Sequence, residues 1–411
     1  MAEAEFPNRL PIVEARAAIV EACRSRQLST ERLARDGALG RVLAEDVSAP
    51  HDLPPFANSA MDGYAVRAAD LVGTAEKRLR LAGVILAGAP AVQGIAPCEC
   101  MRITTGAPLP EGADAVVIKE RARIEGEYVL VPGDTARGAH VRRAGEDYRS
   151  GETALHSGRR LRPVDIGLLA TLGCGEVAVS RAPRVAVFSS GDELVASGQA
   201  LGFGQIHDSN GPGLAALLRQ SGIEPERVAH LVDDPASMRE HLREAASACD
   251  VIVTCGGVSA GEADYMPQLI GAIGRIHFWK VRIRPGMPIL FGELESTLVF
   301  ALPGNPVSAI VTWLILVLPG LLALQGCTEP ARRWRAHLAL PIRKRHERTE
   351  YQRAHLESRD DGTLWVTPLA LQGSGMLRGV VDADCLLEIP EDVNELEAGA
   401  VVEIVPLPGL C

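Results

Sequence analysis

The sequence contains no Gly-x-x-x-x-Gly-Lys-Ser/Thr phosphate loop, no His-Glu-x-x-His pair and no Ser-His-Asp order, and its 10 histidines are dispersed. Those absences leave P-loop nucleotide hydrolysis, zinc-peptidase chemistry and nucleophilic hydrolysis unsupported. A basic surplus is also missing. The net charge of -10 argues against non-specific nucleic-acid binding, although a local basic pocket for an anion remains compatible with it. The 9 cysteines are odd in number and irregularly spaced, and Cys98-x-Cys100 has no second pair at zinc-finger distance. This pattern suits a reducing compartment, and a cytoplasmic protein is expected. Residues 1–9 have no apolar core and do not read as a signal peptide. One uncharged run, 306–325, is long enough to span a membrane. It holds Pro319 and Gly320 and opens with Asn305-Pro306 like a capped helix, so a buried core helix is expected and no membrane partner. No internal repeat is visible.

With 411 residues, 47% hydrophobic and 23% charged, the chain has ample apolar surface for several cores. Helical spacing of Ile12, Ala15, Ile19 and Cys23 predicts a helix, and a second helical run is expected to end at Leu43. Short β-rich runs separated by Gly and Pro follow to about residue 143. Residues 184–326 alternate strands (184–189, 227–232, 250–254, 298–302) with helices (213–220, 235–249, 266–273), the pattern of a parallel, doubly wound α/β sheet. The expected fold class is therefore multidomain α/β. It comprises a central doubly wound α/β domain at 182–328, a β-rich inserted domain at 49–144, a discontinuous mixed linker domain at 7–48 plus 145–181, and a C-terminal small β-barrel at 329–411.

In an open α/β sheet, ligands bind beyond the carboxyl ends of the strands. Here those ends carry Ser189-Ser190-Gly191-Asp192-Glu193, Asp233-Asp234, Cys255-Gly256-Gly257-Val258-Ser259 running on to Asp264, and Pro303-Gly304-Asn305-Pro306. The glycine turn can present backbone N–H groups to phosphate, though such turns also serve packing. Carboxylates beside a phosphate would repel it unless a cation intervenes, so Glu193, Asp233 and Asp264 imply magnesium. Asp234 precedes Pro235 and reads as a helix N-cap, and Asp192 as a turn residue. Lys280, Arg282 and Arg284 alternate and would share one strand face suited to an anion; a solvated edge strand fits the same spacing.

Several longer motifs carry a resemblance. Asn58-Ser59-Ala60-Met61-Asp62-Gly63-Tyr64-Ala65, Thr104-Thr105-Gly106-Ala107-Pro108, Gly145-Glu146-Asp147, Gly191-Asp192-Glu193-Leu194, Gly256-Gly257-Val258-Ser259-x-Gly261-Glu262-x-Asp264-Tyr265 and Leu302-Pro303-Gly304-Asn305-Pro306 stand in one order. That order resembles the molybdopterin molybdenumtransferase family, which includes bacterial MoeA proteins and resembles the gephyrin E domain. The resemblance implies a homodimer and a magnesium-dependent reaction of adenylylated molybdopterin with molybdate, giving molybdenum cofactor and AMP. It implies as partners molybdopterin adenylyltransferase and downstream cofactor-modifying or acceptor proteins. Position by position, it implies catalytic roles for Asp62, Thr105, Asp147, Glu193, Asp233 and Asp264, with Glu193, Asp233 and Asp264 at the metal. Gly256, Gly257, Ser259, Lys280, Arg284, Pro303, Pro306, Arg353 and Ser374 are the implied substrate-binding set. Three departures stand out: Met287 where many relatives carry a second Lys, Gly211 where Arg is frequent, and Ala57 where an acid is common. A non-catalytic scaffold of the same fold is the alternative, against which the intact acids weigh. An adenylyltransferase would use only the α/β domain.

Overall fold

The computed structural model describes residues 7–88, 94–259, 265–330 and 333–407. They form two compact units: one holds the chain up to Ala44, Ser157–Pro163 and Glu176 onward, the other Glu45–His156 and Val164–Gly175.

The first unit is organised by a seven-stranded sheet of β1 (Asn8–Leu10), β2 (Val185–Ser190), β3 (Arg227–Leu231), β4 (Val251–Cys255), β5 (Arg275–Val281), β6 (Leu290–Leu294) and β7 (Thr297–Leu302), in spatial order β1-β5-β6-β7-β4-β2-β3. Every residue of β2, β4 and β7 is buried, as apolar runs without alternation require when both faces are covered. Helices α1 (Ile12–Arg24), α2 (Asn210–Gln220) and α5 (Pro306–Thr312, running on through Trp313–Val317 to Leu318–Leu324) pack with Val187, Val253 and Phe300 on one face. Helices α3 (Pro235–Ala248) and α4 (Met266–Ile273) pack with Phe188, Ile252 and Ala301 on the other. The segment long enough to span a membrane is thus a core helix, 78% of its apolar window being buried inside the fold.

Two local expectations need correction. The sheet is not wholly parallel: β6 runs antiparallel to β5 and β7. Its link to β7 is only Glu295-Ser296, with Leu294 opposite Thr297, and so short a loop allows only a hairpin; Glu295 takes the left-handed φ of 53° that such a turn uses. The second helical run is absent as well. Thr30–Ala34 is a strand paired antiparallel with Glu176–Ser180, and its alternating exposure has period two. Asn8–Leu10 and α1, grouped by sequence with the linker region, pack on the seven-stranded sheet.

At the C-terminal end, strands Thr349–Ser358, Leu364–Pro368, Trp334–Leu338, Val401–Pro406 and Cys385–Ile389 pair in that order. Cys385–Ile389 returns to Thr349–Ser358 and closes a small barrel around Leu338, Ala354, Val366, Leu387 and Ile404. Closure removes the exposed strand edges. In the second unit, a six-stranded sheet that includes Gly63–Val66, Lys77–Ile85, Glu99–Ile103 and Ala115–Ile118 separates two apolar clusters. Tyr64, Val66 and Val117 face one cluster, and Ala65, Met101 and Val116 the other.

Candidate active site

Because β2, β3, β4 and β7 are mutually parallel, their carboxyl ends share one edge. The loops beyond them enclose a cleft of about 680 Å3 lined by Glu193, Asp233, Gly256, Gly257, Ser259, Pro303 and Pro306. Asp264 lies outside the described residues. Two glycines make the cleft possible. At Gly256 (φ 109°) a Cβ would stand 2.5 Å from the Ser190 carbonyl oxygen, so the turn can lie on the end of β2 only without a side chain. At Gly191 a Cβ would stand 2.5 Å from the Glu193 carboxylate, which therefore folds back over the strand end.

The acids separate by environment. Asp234 accepts the Ser237 backbone N–H at 2.7 Å and caps α3, as expected. The Asp192 carboxylate accepts the Asp233 N–H at 3.0 Å, while the Asp192 N–H points back to the Asp233 carboxylate at 3.4 Å. Burial, followed by the charges of Asp192 and Glu193, pushes the Asp233 carboxyl above its usual range despite that N–H. Such crowding of like charge is relieved by a cation. Among the described residues no group of three or more acidic, His or Cys side chains forms a complete metal site. Two carboxylates together with phosphate oxygens and water, however, are a fitting set for magnesium.

Sequence reading missed Asp208 and Asn210, which also line the cleft. Asp208 accepts the Ser189 hydroxyl at 2.6 Å and the N–H groups of Asn210 and Gly211 at 2.9 and 3.1 Å, holding the start of α2. The Asn210 side-chain amide donates to the Gly304 carbonyl and ties two cleft loops together. An Asp-Ser-Asn run just ahead of a helix was the available signal. A Cβ at Gly211 would stand 2.6 Å from the Asp208 carboxylate, so an Arg in that place would require the Asp208 side chain to shift.

A second cavity, of about 460 Å3, shares Pro288, Pro303 and Asn305 with the cleft and is lined by Arg284, Arg348, Glu350, Arg353 and Ser374. Arg353 is 1% exposed. Its guanidinium donates to the carbonyls of Leu371 and Gly373 at 2.7 and 3.1 Å, while its Nε has no partner. Burial lowers its proton affinity and the Glu350 carboxylate opposes that effect. Asn305 donates to the Ser374 hydroxyl at 3.0 Å. Lys280, Arg282 and Arg284 alternate with buried Val281 and Ile283 as expected, but the cations do not converge: Lys280 adopts φ 65° and its ammonium lies 4.1 Å over the Trp279 ring. Arg282 pairs with Glu391 at 2.8 Å, and Arg284 enters a strand beside the barrel. Lys280 is not among the described residues that line either cavity; the Trp279 ring beneath its ammonium donates its indole N–H to the Val258 carbonyl at 3.0 Å. Arg348 and Glu350 were not foreseen, because nothing in their local spacing links them to residue 284.

In the second unit the structure brings Asp62 and Thr105 together: Asp62 Oδ1 accepts the Thr105 N–H at 2.8 Å and its hydroxyl at 2.9 Å. These bonds, the backbone one foremost, hold the exposed Asp62 carboxyl below its ordinary range. Asp147 lines separate hollows with Glu146, which it shares with neither Asp62 nor Thr105.

Family models match along the chain: the MoeA N-terminal region (domain I and II) at residues 10–173, a probable molybdopterin binding domain at 186–323 and the MoeA C-terminal region (domain IV) at 335–407. A molybdopterin molybdenumtransferase of Haemophilus influenzae is 36% identical over 384 residues, covering 92% of this chain and 94% of its own. Molybdopterin molybdenumtransferase 2 of Mycobacterium tuberculosis is 38% identical over 377 residues, covering 89% and 92%. The crystal structure of a molybdopterin biosynthesis MoeA protein from Pyrococcus horikoshii superimposes with a TM-score of 0.82 at 29% identity, over 97% of this chain and 100% of that one.

Proposed function

The chain belongs to the MoeA family of molybdopterin molybdenumtransferases, and from that premise we propose that it inserts molybdate into adenylylated molybdopterin, with magnesium and with release of AMP, in molybdenum cofactor biosynthesis. The observation that carries this reading is the adjacency of an acidic cleft and a cationic cavity across the shared wall of Pro288, Pro303 and Asn305.

In this reading the Gly256 N–H, donated to the Leu302 carbonyl at 3.0 Å, fixes the turn, the Gly257 backbone N–H is offered to the pyrophosphate, and Ser259 adds a hydroxyl. Glu193 and Asp233, joined by Asp264, would hold magnesium, which supplies positive charge at the bridging phosphate oxygens when bound. Asp233 also orients the water that attacks phosphorus; the P–O bond to the other phosphorus breaks, the proton of the water passes to solvent and AMP leaves. Arg284 and Arg353 hold molybdate through its oxygens, with Ser374 as a further donor, while Pro303 and Pro306 keep the wall rigid. The two dithiolene sulfurs then bond molybdenum as one molybdate oxygen leaves as water with the two thiol protons. Lys280 acts at longer range through Trp279. We further propose four domains with the boundaries given by sequence, except that Asn8–Leu10 and α1 join the α/β domain, and a homodimer in which Asp62, Thr105 and Asp147 serve the same reaction. Molybdopterin adenylyltransferase is the proposed supplier of the substrate.

The test mixes the full chain with adenylylated molybdopterin, magnesium and molybdate and follows AMP by chromatography. Molybdate-dependent AMP release is expected. Absence of release with all three present would contradict the proposal.

A further inference from the structure

Arg284, Arg348 and Arg353 all line the 460 Å3 cavity, and among the described residues the one carboxylate lining it with them is Glu350. Glu350 lies 3.6 Å from the Arg284 guanidinium and 3.2 Å from the His346 ring. Lys344, close by, does not line the cavity; its ammonium donates to the carbonyls of Arg348, Pro390 and Glu391. Burial holds His346 below its ordinary value, so at pH 8 it adds no full charge. Three guanidinium groups therefore face one carboxylate, leaving a surplus of two positive charges.

Arg348 is the least engaged of the three. Its Nη1 lies 4.0 Å from the Met287 sulfur, a contact too weak to satisfy a guanidinium. Burial first, then the neighbouring charge of Arg284, lowers its proton affinity, with Glu350 acting against them. Arg284 and Arg348, in a half-buried pocket beside a deeply buried Arg353 whose Nε is unpartnered, share the single carboxylate of Glu350. Met287, which Arg348 touches, is uncharged, so the positive charge on that side of the cavity is that of Arg348.

We propose that Arg348 is a clamp of this cavity and sets its preference for doubly charged tetrahedral oxyanions, an inference that rests on the oxyanion reading above. A dianion neutralises the surplus of two charges, whereas a monoanion of similar size leaves one unbalanced. Perrhenate is tetrahedral like molybdate and carries one negative charge, which makes it the matched probe.

The experiment measures molybdate and perrhenate binding to the full chain by calorimetry at pH 8, without pterin substrate. Wild type is expected to favour molybdate by about 100-fold. Arg348→Ala is expected to weaken molybdate about tenfold or more while changing perrhenate less, with an unaltered melting temperature. Adding Met287→Lys to Arg348→Ala returns charge to the same space and restores the preference. An Arg348→Ala protein with the wild-type preference overturns the role of Arg348 while leaving the cavity's anion reading in place. A double variant no more selective than Arg348→Ala overturns the charge argument. If wild type binds neither anion, the oxyanion reading fails and this inference with it.

Discussion

The cleft at the strand ends and the cavity behind Pro303 share a wall yet have opposite electrostatics. In the cleft, Glu193 and Asp233 crowd negative charge around a glycine turn, with Asp192 beside Asp233, and burial pushes the Asp233 carboxyl up. In the cavity, three arginines surround Glu350. The cleft is built mainly from backbone: glycines that admit close approach and parallel strands that align four loops. The cavity is built from long side chains contributed by three distant segments. One arrangement suits a phosphate bridged by a cation, the other a free oxyanion. A single uniformly basic pocket would bind both anions but would not keep them apart.

The comparison can be broken most sharply at Asp233. Asp233→Asn is expected to lower the rate of AMP release by about 100-fold or more, as loss of a group at the developing charge does. Its binding of molybdate in the cavity should be unchanged, and calorimetry checks this. Arg353→Ala should do the reverse, weakening molybdate by about 10- to 100-fold, since charge-assisted hydrogen bonds are the strong ones. Arg353→Lys should rescue little, because one ammonium cannot reproduce the fork that reaches Leu371 and Gly373.

Gly256→Ala probes the backbone side of the contrast. A Cβ 2.5 Å from the Ser190 carbonyl, at φ 109°, should cost about 2 kcal/mol or more in urea unfolding. The smallest effect separates a structural acid from the cleft acids. Asp250 accepts two bonds of 2.7 Å from Arg181, and although burial alone would raise its carboxyl, Arg181 and the Arg184 N–H hold it below the usual range. A carboxyl lowered by folding contributes stability that is present above its unfolded value near pH 4 and lost as pH falls through the lowered one. Asp250→Asn should therefore reduce stability at pH 7 by about 1–2 kcal/mol and flatten the acid side of the curve below about pH 4, read by denaturant unfolding. Activity should persist in the folded fraction.

Legibility in the sequence follows how local each feature is. Buried apolar runs with helix caps marked β2, β3, β4 and α4 to within a residue or two, because a short window carries both burial and termination. Strand ends then pointed to Glu193, Asp233 and the glycine turn without knowledge of tertiary contacts. Thr30–Ala34 was misread as helix because its pairing partner lies at Glu176–Ser180, far along the chain. The cationic cavity was legible only in parts: residues 284, 348–353 and 372–374 meet through barrel closure, which no local period encodes. Lys280, Arg282 and Arg284 do alternate with buried Val281 and Ile283, but the three cations go to Trp279, Glu391 and Glu350, partners that spacing does not encode.

The most direct test of the two-site account is diffraction from crystals soaked in tungstate, using the anomalous signal of the metal to locate it. The account predicts a peak in the cavity, beside the guanidinium groups of Arg284, Arg348 and Arg353. A peak in the cleft against Glu193 and Asp233, with none in the cavity, would contradict it.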